Sequence, residues 1–311
     1  MQPTDIILIT GASGMIGSAL VRRLKANGYT NLLTPTHSEL ELRDAGAVQA
    51  YFSKHKPAYV FHLAARVGGI HANSAYPAEF VFDNTSMQMN VFEAAHKHNV
   101  KKILFPGSAC TYPKHAPQPV KEDEFLNGKV EPTNIAYAAA KINGIVMAQS
   151  YAKQYNMQVV VPMPTNTYGV GDNFNPEASH VIPALMKRFH EAKMNNAAEV
   201  VLWGSGSPLR EFLYVDDAAG ALVFLMQKRD SSDIINVGTM QEISIRDLAT
   251  AIAETVGFKG KISLDTTKPD GAPRKILDST PLFALGWKPE TSLAEGLRRM
   301  YLHHFNEKAA A

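Results

Sequence analysis

The sequence predicts an α/β fold: a doubly wound parallel sheet with a smaller, discontinuous C-terminal domain. In the first half of the chain, short apolar runs alternate with longer amphipathic segments, as in repeated βα units. This alternation ends near Pro162 to Pro164, and from there to Arg210 the chain is richer in Pro, Gly and Asn. At 311 residues the chain can bury a large core and form two lobes.

Each βα unit begins with a short apolar run that is typical of a buried strand. Ile6–Thr10 is the first such run, and the glycines after it lead into a helix from about Met15 to Asn27. The other predicted strands are Asn31–Thr34, Tyr59–Leu63, a run ending at Ser108, and Gln158–Val161. The other predicted helices are one that Asp44 caps and that runs to about His55, one from about Ala78 to His98, and Tyr137–Tyr155. Further strand ends are predicted in Glu211–Asp216 and Ile234–Gly238.

The composition excludes several classes of partner. The chain is 45% hydrophobic and 19% charged, and its 31 basic and 29 acidic residues give a net charge of +2. This balance gives no reason to expect a nucleic acid or an anionic membrane as partner. One cysteine excludes an internal disulfide framework and a cysteine-rich metal site, and we expect no metal. No stretch approaches the ~20 apolar residues of a membrane helix, and no signal peptide is recognisable, so we expect a cytoplasmic protein.

A glycine-rich loop from Gly11 to Gly17 follows the first strand and opens the first helix. Its three glycines allow a tight turn and the close approach of a pyrophosphate to the helix N-terminus, where free N–H groups favour negative charge. This context predicts a dinucleotide-binding Rossmann sheet. We expect residues 1–165 plus about 211–240 to form the cofactor domain, and about 166–210 plus 241–311 the substrate domain.

The end of the second predicted strand favours NADP(H) over NAD(H). An acidic residue at this place would hold the adenosine ribose of NAD, but Thr34 to Ser38 contains no carboxylate. Its hydroxyls and His37 can instead accept a 2′-phosphate. His37 can equally be a solvated loop residue.

Ser108, Tyr137 and Lys141 form a set typical of hydride chemistry at a carbonyl or alcohol. Tyr137 and Lys141 are four residues apart on a helix and therefore share a face. A tyrosine has an ordinary pKa of about 10, and a nearby ammonium is expected to lower the pKa of Tyr137 toward neutrality. Ser108, at a strand end, can bond the same substrate oxygen.

The only cysteine, Cys110, lies two residues after Ser108 and is expected to face the same pocket. A thiol there could remove a proton from the carbon next to a carbonyl, while Tyr137 and Ser108 hold the enolate. This cycle needs an acid on the opposite face, for which we select His180. By sequence alone Cys110 can also be a small buried residue, and His180 a helix cap or a surface residue.

Several motifs carry a family resemblance over nearly the whole chain. They are Gly107 to Pro113, Glu131 to Lys141, Met163 to Gly169, Asp172 to Phe174, Ser179 to Ala184, and Trp203 to Phe212. They resemble the GDP-L-fucose synthases, which are extended short-chain dehydrogenases. The resemblance implies a substrate, GDP-4-keto-6-deoxy-D-mannose, that is epimerised at carbons 3 and 5 and then reduced at carbon 4 by NADPH.

The resemblance also implies a role for each residue that matches a motif. The expected catalytic residues are Ser108, Cys110, Tyr137, Lys141 and His180. The expected cofactor-binding residues are Gly11, Ser13, Gly14, Met15, Ile16, Gly17, His37, Leu63, Ala64, Ala65, Tyr137, Lys141, Pro164, Asn166, Thr167 and His180. The expected contacts to the GDP-sugar are Ser108, Asn166, Arg188, Trp203, Arg210, Arg274 and Lys275.

Some departures from the family pattern leave alternatives open. Ala109, Thr111, Val170 and Ser13 stand where other residues are more usual in the family. A GDP-linked 6-deoxy-heptose is therefore an alternative substrate, and a nucleotide-sugar 4-epimerase an alternative enzyme. A 4,6-dehydratase usually has carboxylates beside the serine, and this chain has none there. We expect a homodimer that pairs through the helices near 78–98 and 137–155.

Overall fold

The computed structural model describes residues 1–176, 179–268 and 270–306. Its strands are β1 (Ile7–Thr10), β2 (Leu32–Leu33), β3 (Tyr59–His62), β4 (Lys102–Leu104), β5 (Gln158–Pro164), β6 (Asn166–Tyr168), β7 (Glu199–Trp203), β8 (Leu209–Tyr214), β9 (Ile234–Val237), β10 (Glu242–Ser244), β11 (Lys261–Asp265) and β12 (Arg274–Lys275). Six of them form a central sheet in the order β2-β1-β3-β4-β5-β9, with every neighbouring pair parallel. The predicted doubly wound parallel sheet is confirmed.

Helices cover both faces of this sheet. They are α1 (Met15–Ala26), α2 (Ala45–His55), α3 (Ile70–Ala75), α4 (Pro77–Lys97), α5 (Ile135–Tyr155), α6 (Val181–Met194), α7 (Val215–Lys228), α8 (Ile245–Val256), α9 (Thr280–Ala284) and α10 (Leu293–Tyr301). Successive strand residues point to opposite faces: Ile7 and Ile9 belong to the core that contains α1 and α7, and Leu8 to the core that contains α2 and α4. Because both faces are buried, the strands are continuous apolar runs rather than alternating ones.

A smaller set of strands lies beyond the central sheet. β8 pairs antiparallel with β10 and parallel with β12 and β6, while β7 and β11 form a separate parallel pair. Residues 211–214, which we expected in the cofactor domain, belong to β8 and pair within this smaller set of strands. The rest of the segment of about 211–240 behaves as expected, since α7 packs on α1 and β9 joins the central sheet. The division into domains stays a proposal, with β8 on the smaller side.

Local signals predicted several elements well. The Asp44 carboxylate accepts a hydrogen bond from the Ala47 N–H at 3.0 Å, so the predicted N-cap of α2 is confirmed. β5 continues past its predicted end at Val161 to Pro164. Pro162 has no N–H to donate, but its carbonyl accepts a hydrogen bond from the Gly107 N–H at 2.8 Å, so Pro162 can belong to the strand. Among the described residues no helix is long and apolar enough to cross a membrane.

Candidate active site

The glycine loop makes a cradle at the end of β1. Gly11 has φ of +71°, and a Cβ on it would lie 2.8 Å from the Ala64 nitrogen. A Cβ on Gly17 would lie 2.0 Å from the Gly11 carbonyl oxygen. Gly14 is the N-cap of α1 and supplies no side-chain cap. The N–H groups of Met15 and Ile16, which follow Ser13 and Gly14 in the first turn, are therefore available to an anion. This cradle fits the diphosphate of a dinucleotide.

The segment after β3 lies against this cradle. The Leu63 N–H donates to the Thr10 carbonyl at 3.2 Å, and the Ala64 N–H donates to Thr10 Oγ1 at 3.2 Å. Thr10 Oγ1 in turn lies 2.8 Å from His62 Nδ1. The structure therefore brings Leu63 and Ala64, followed by Ala65, next to the glycine loop, and their role in binding the cofactor stays a prediction.

Sequence reasoning missed the buried pair of Thr10 and His62. His62 is fully buried, and its Nε2 has no hydrogen-bond partner in the described part of the chain. Burial, followed by the charge of Lys141, lowers the pKa of His62 to about 3, so its imidazole is neutral. The available signal was a histidine inside the apolar run Tyr59–Leu63.

Ser108 and Cys110 reach the site through a tight turn. β4 ends at Leu104, and Ala109–Thr111 is a 3₁₀ turn that Ser108 caps by accepting from the Cys110 N–H at 3.2 Å. The expected reason for their proximity, strand alternation, is wrong, because both residues lie beyond the strand. Cys110 is a free cysteine and is partly exposed.

Tyr137 lies in the first turn of α5, where its phenol is close enough to the Ser108 hydroxyl for that group to affect its charge. Burial raises the pKa of Tyr137 well above its ordinary value, and negative charge on Cys110 raises it further. The Ser108 hydroxyl opposes these effects, but its influence on the pKa of Tyr137 is smaller than that of burial. The sequence predicted a lowered pKa for Tyr137. The groups of the protein itself raise this pKa, so the prediction is wrong.

Lys141 lies one turn further along α5 and is buried. Its Nζ donates to the Pro106 carbonyl at 2.8 Å and lies 4.6 Å from the centre of the Phe105 ring. The same Nζ is 5.9 Å from the centre of the Tyr137 ring. Burial lowers the pKa of Lys141 to about 8, which brings its titration close to neutral pH.

His180 occupies the N-cap position of α6, but its side chain makes no cap hydrogen bond. Its ring reaches solvent, while the protein packed around it lowers the pKa of His180 by desolvation. The sequence left two alternatives for His180, a helix cap or a surface residue. The structure gives it the position of a helix cap, and its side chain, which makes no cap bond, is available for another role.

A second cleft holds the residues expected at the nucleotide. Trp203, at the end of β7, and Arg210, in β8, line it together with Asp270. The Trp203 ring is exposed, and Lys268 Nζ lies 5.7 Å from its centre. Desolvation lowers the pKa of Arg210, whose guanidinium also donates to the Leu209 carbonyl at 2.7 Å. An exposed indole beside an arginine can stack on a base and bind a diphosphate.

The other predicted substrate residues lie in different surroundings. Arg188 is exposed on α6 and donates to the Val201 carbonyl. Arg274 Nε pairs with Glu242 Oε2 at 2.7 Å. Lys275 Nζ lies 3.8 Å from Cys110 Sγ, which brings it to the thiol.

Sequence reasoning also missed Glu211, which joins three segments of the site. Its fully buried carboxylate accepts from the N–H groups of Thr239 (2.6 Å), Met240 (2.7 Å) and Leu277 (3.0 Å). Burial raises the pKa of Glu211, and these bonds oppose the shift. Its backbone carbonyl accepts from Asn166 Nδ2 at 3.1 Å. Glu211 therefore holds β8 against the ends of β9 and β12.

The cofactor residues after β5 lie beside Glu211. Pro164 ends β5, and Asn166 and Thr167 belong to β6, with Thr167 Oγ1 bonded to the Thr165 carbonyl at 3.3 Å. Since Pro164 is the last residue of β5, these residues lie at the carboxyl edge of the parallel sheet, where ligands bind in this fold.

The segment beyond β2 contains carboxylates that the sequence analysis did not weigh. His37 is 79% exposed, and its Nε2 lies 3.0 Å from Glu41 Oε2. Bonds from Arg43 lower the pKa of Glu41 to about 2, so Glu41 is ionised. The i,i+4 spacing of His37 and Glu41 was the available signal.

The profile of the NAD dependent epimerase/dehydratase family matches residues 7–238. GDP-L-fucose synthase 1 of Arabidopsis thaliana is 53% identical over 95% of this chain and 91% of its own. GDP-L-fucose synthase of Escherichia coli K12 is 48% identical over 95% of each chain. The structure of a GDP-L-fucose synthetase from Naegleria fowleri bound to NADP has a TM-score of 0.91, with 30% identity, over 100% of this chain and 97% of that one.

Proposed function

This chain belongs to the NAD dependent epimerase/dehydratase family and to the GDP-L-fucose synthases within it, and we propose that its site converts GDP-4-keto-6-deoxy-D-mannose to GDP-L-fucose. The enzyme epimerises carbons 3 and 5 and then reduces the ketone at carbon 4. The observation that carries this proposal is the convergence of Ser108, Cys110 and Tyr137: Ser108 Oγ accepts from the Cys110 N–H at 3.2 Å, and both residues act on the charge of the Tyr137 phenol.

In the epimerase half, Cys110 is the base and His180 the acid. The Cys110 thiolate takes the proton from the carbon next to the ketone, and the electron pair moves onto the ketone oxygen. Ser108 and Tyr137 donate hydrogen bonds to that oxygen and stabilise the enolate. His180 returns a proton to the opposite face of the carbon, which inverts it. The same cycle serves carbons 3 and 5, since both flank the ketone.

In the reductase half, Tyr137 is the proton donor. NADPH supplies a hydride to carbon 4 when it is bound. Burial keeps the Tyr137 phenol protonated, which is the state that a donor needs. Lys141, with its pKa lowered to about 8, is suited to return a proton to this region between turnovers.

The GDP part of the substrate lies in the second cleft. The Trp203 ring stacks on the guanine, and Arg210 binds the diphosphate. Arg188 lies outside the lining of this cleft and is a further predicted contact. Asn166, which is fixed by the Glu211 carbonyl, faces the sugar. Arg274 is held by Glu242 and contributes less to this binding.

Turnover of the GDP-4-keto sugar with NADPH in heavy water tests this function. We expect a product with two solvent deuterons at carbons 3 and 5 and one hydride from the cofactor, read by mass spectrometry. Cys110→Ser should suppress deuterium exchange more than reduction, because the hydride step does not use the thiol. A product without solvent label would leave a plain reductase, and retained NAD with no net consumption of NADPH would indicate a 4-epimerase. A heptose that is turned over faster than the hexose would move the substrate to the 6-deoxy-heptose alternative.

The same chain offers a surface for a second copy of itself. α4 and α5 pack on each other and carry exposed apolar side chains, including Phe82 (66% exposed), Met89 (52%) and Val146 (41%). Exposed apolar clusters of this kind are typical of protein interfaces. These contacts support a homodimer built on α4 and α5. The balanced charge and single cysteine support a location in the cytoplasm.

A further inference from the structure

The thiol of Cys110 has a cationic neighbour that lies 165 residues away in the chain. Lys275 Nζ is 3.8 Å from Cys110 Sγ, in a partly buried contact. A thiol is a poor base, whereas the thiolate is a good one, and an adjacent ammonium favours the thiolate. Within the described part of the chain, the ionisable groups shown to interact with Cys110 are Lys275 from β12 and Tyr137 from α5.

The backbone around Lys275 is fixed from two sides. Within the smaller sheet, Lys275 pairs with Arg210 of β8. The next two N–H groups are also held: Ile276 donates to Gln118 Oε1 at 2.9 Å, and Leu277 donates to Glu211 Oε2 at 3.0 Å. The ammonium therefore extends from a rigid segment and needs little ordering to reach the sulfur.

The neighbouring Arg274 has a different environment although it carries the same charge. Its guanidinium is bonded to Glu242 and is exposed, whereas Lys275 is directed to the thiol. Of the two adjacent cations in β12, Lys275 thus contacts the sulfur of Cys110 and Arg274 does not. This makes Arg274 a matched control.

We propose that Lys275 is a positioning residue for epimerisation, whose ammonium holds the Cys110 sulfur close to the carbon that it deprotonates and supplies positive charge beside it. This inference rests on the proposed function and replaces a simple substrate contact at Lys275. In the step, the proton of the substrate carbon moves to the sulfur and its electron pair to the ketone oxygen. Sγ loses that proton to solvent before the next cycle, so atoms and charge balance.

The arrangement also links the two halves of the reaction. A negative Cys110 beside Tyr137 disfavours the phenolate, so the thiolate that starts epimerisation keeps the later proton donor protonated. Loss of Lys275 should therefore slow epimerisation first and affect reduction second.

Alkylation of the single cysteine tests the pair without any turnover. Wild type, Lys275→Met, Lys275→Arg and Arg274→Met are treated with iodoacetamide from pH 5 to 10, and the rate is read by intact mass. We expect the midpoint of the pH profile to move upward in Lys275→Met, with alkylation at pH 7 about tenfold slower for a shift of one unit. Lys275→Arg should retain most of the wild-type rate, and Arg274→Met all of it.

The high-pH plateau of each profile separates access to the sulfur from its protonation. An unchanged plateau with a moved midpoint supports the proposal, and near-UV circular dichroism identifies variants that keep their fold. A Lys275→Met profile with the wild-type midpoint overturns the proposal. If the heavy-water product carries no solvent label while the alkylation midpoint moves in Lys275→Met, the epimerase function is rejected and the ion pair remains. Failure of the function and failure of the ion pair can therefore be told apart.

Discussion

His62, Tyr137 and Lys141 lie around one enclosed part of the site, and burial shifts the pKa of each toward its neutral form. The sequence shows which side chains can take part, but burial is a property of the folded chain. For this reason the identities of Tyr137 and Lys141 were predictable and the direction of the pKa shift at Tyr137 was not. The ion pair of His37 and Glu41 was not predicted, although its i,i+4 spacing is visible in the sequence.

His62 should make the stability of the protein depend on pH in the acid range. Its folded pKa is about 3, against an ordinary value of 6.5. Below about pH 6.5 the unfolded chain takes up a proton at His62 and the folded protein does not, so stability falls with pH until about pH 3. We expect His62 to account for a loss of about 1.4 kcal/mol in the free energy of unfolding between pH 7.5 and 5.5.

Urea unfolding at both pH values measures this loss. His62→Gln should reduce the difference between the two pH values, because glutamine does not titrate and can still bond Thr10. The exposed His37 supplies the control, since His37→Gln should leave the wild-type difference intact. Equal losses in wild type and His62→Gln would contradict the assignment.

At the level of elements, the loop from Gly11 to Gly17 and the start of α1 form one unit. Continuous apolar runs, glycines and the Asp44 cap predicted the βα units, since these signals act over a few residues. The 3₁₀ turn that carries Cys110 was not predictable, because no local signal separates it from a continuing strand. A tight contact between Gly17 and the Gly11 carbonyl leaves this unit no room for a side chain.

Gly17→Ala should separate α1 from β1 and weaken the cofactor cradle. Its Cβ would lie 2.0 Å from backbone, so the helix must move, at a cost of about 1–3 kcal/mol in stability. We expect the Kd for NADPH to rise by about tenfold or more, measured by quenching of intrinsic fluorescence.

Gly220→Ala on α7 is the matched control for this change. The nearest atoms to its Cβ would be 3.8 Å away, so alanine fits there and should stabilise the helix by about 0.5–1 kcal/mol. Unchanged NADPH binding in Gly17→Ala would show that the loop does not form the cradle.

For the molecule as a whole, the site is assembled from segments that are far apart in sequence. The kinds of residues it needs were recognisable from motifs, and the fold class followed from periodicity. The approach of Lys275 to Cys110 and the bonding of Glu211 to Leu277 depend on how the smaller sheet closes over the larger one. Such contacts carry no local signal in a single sequence.

The exposed face of α4 and α5 should determine the size of the assembly. Phe82→Lys combined with Met89→Lys places two charges on this face and should convert the proposed dimer to a monomer of 34.0 kDa in light scattering. Met194→Lys is the control, because Met194 is 65% exposed on α6, away from that face. A mass that the double variant leaves unchanged would place the interface elsewhere or exclude one.

The separation of Cys110 from Lys275 in the sequence has a consequence for the synthesis and folding of the protein. During synthesis the cysteine leaves the ribosome long before its lysine is made, and contacts of such long range form late in folding. The nascent thiol therefore spends this interval without the ammonium that activates it. The activation that we propose for Cys110 therefore begins only after the C-terminal segment has been made and has brought Lys275 to the sulfur.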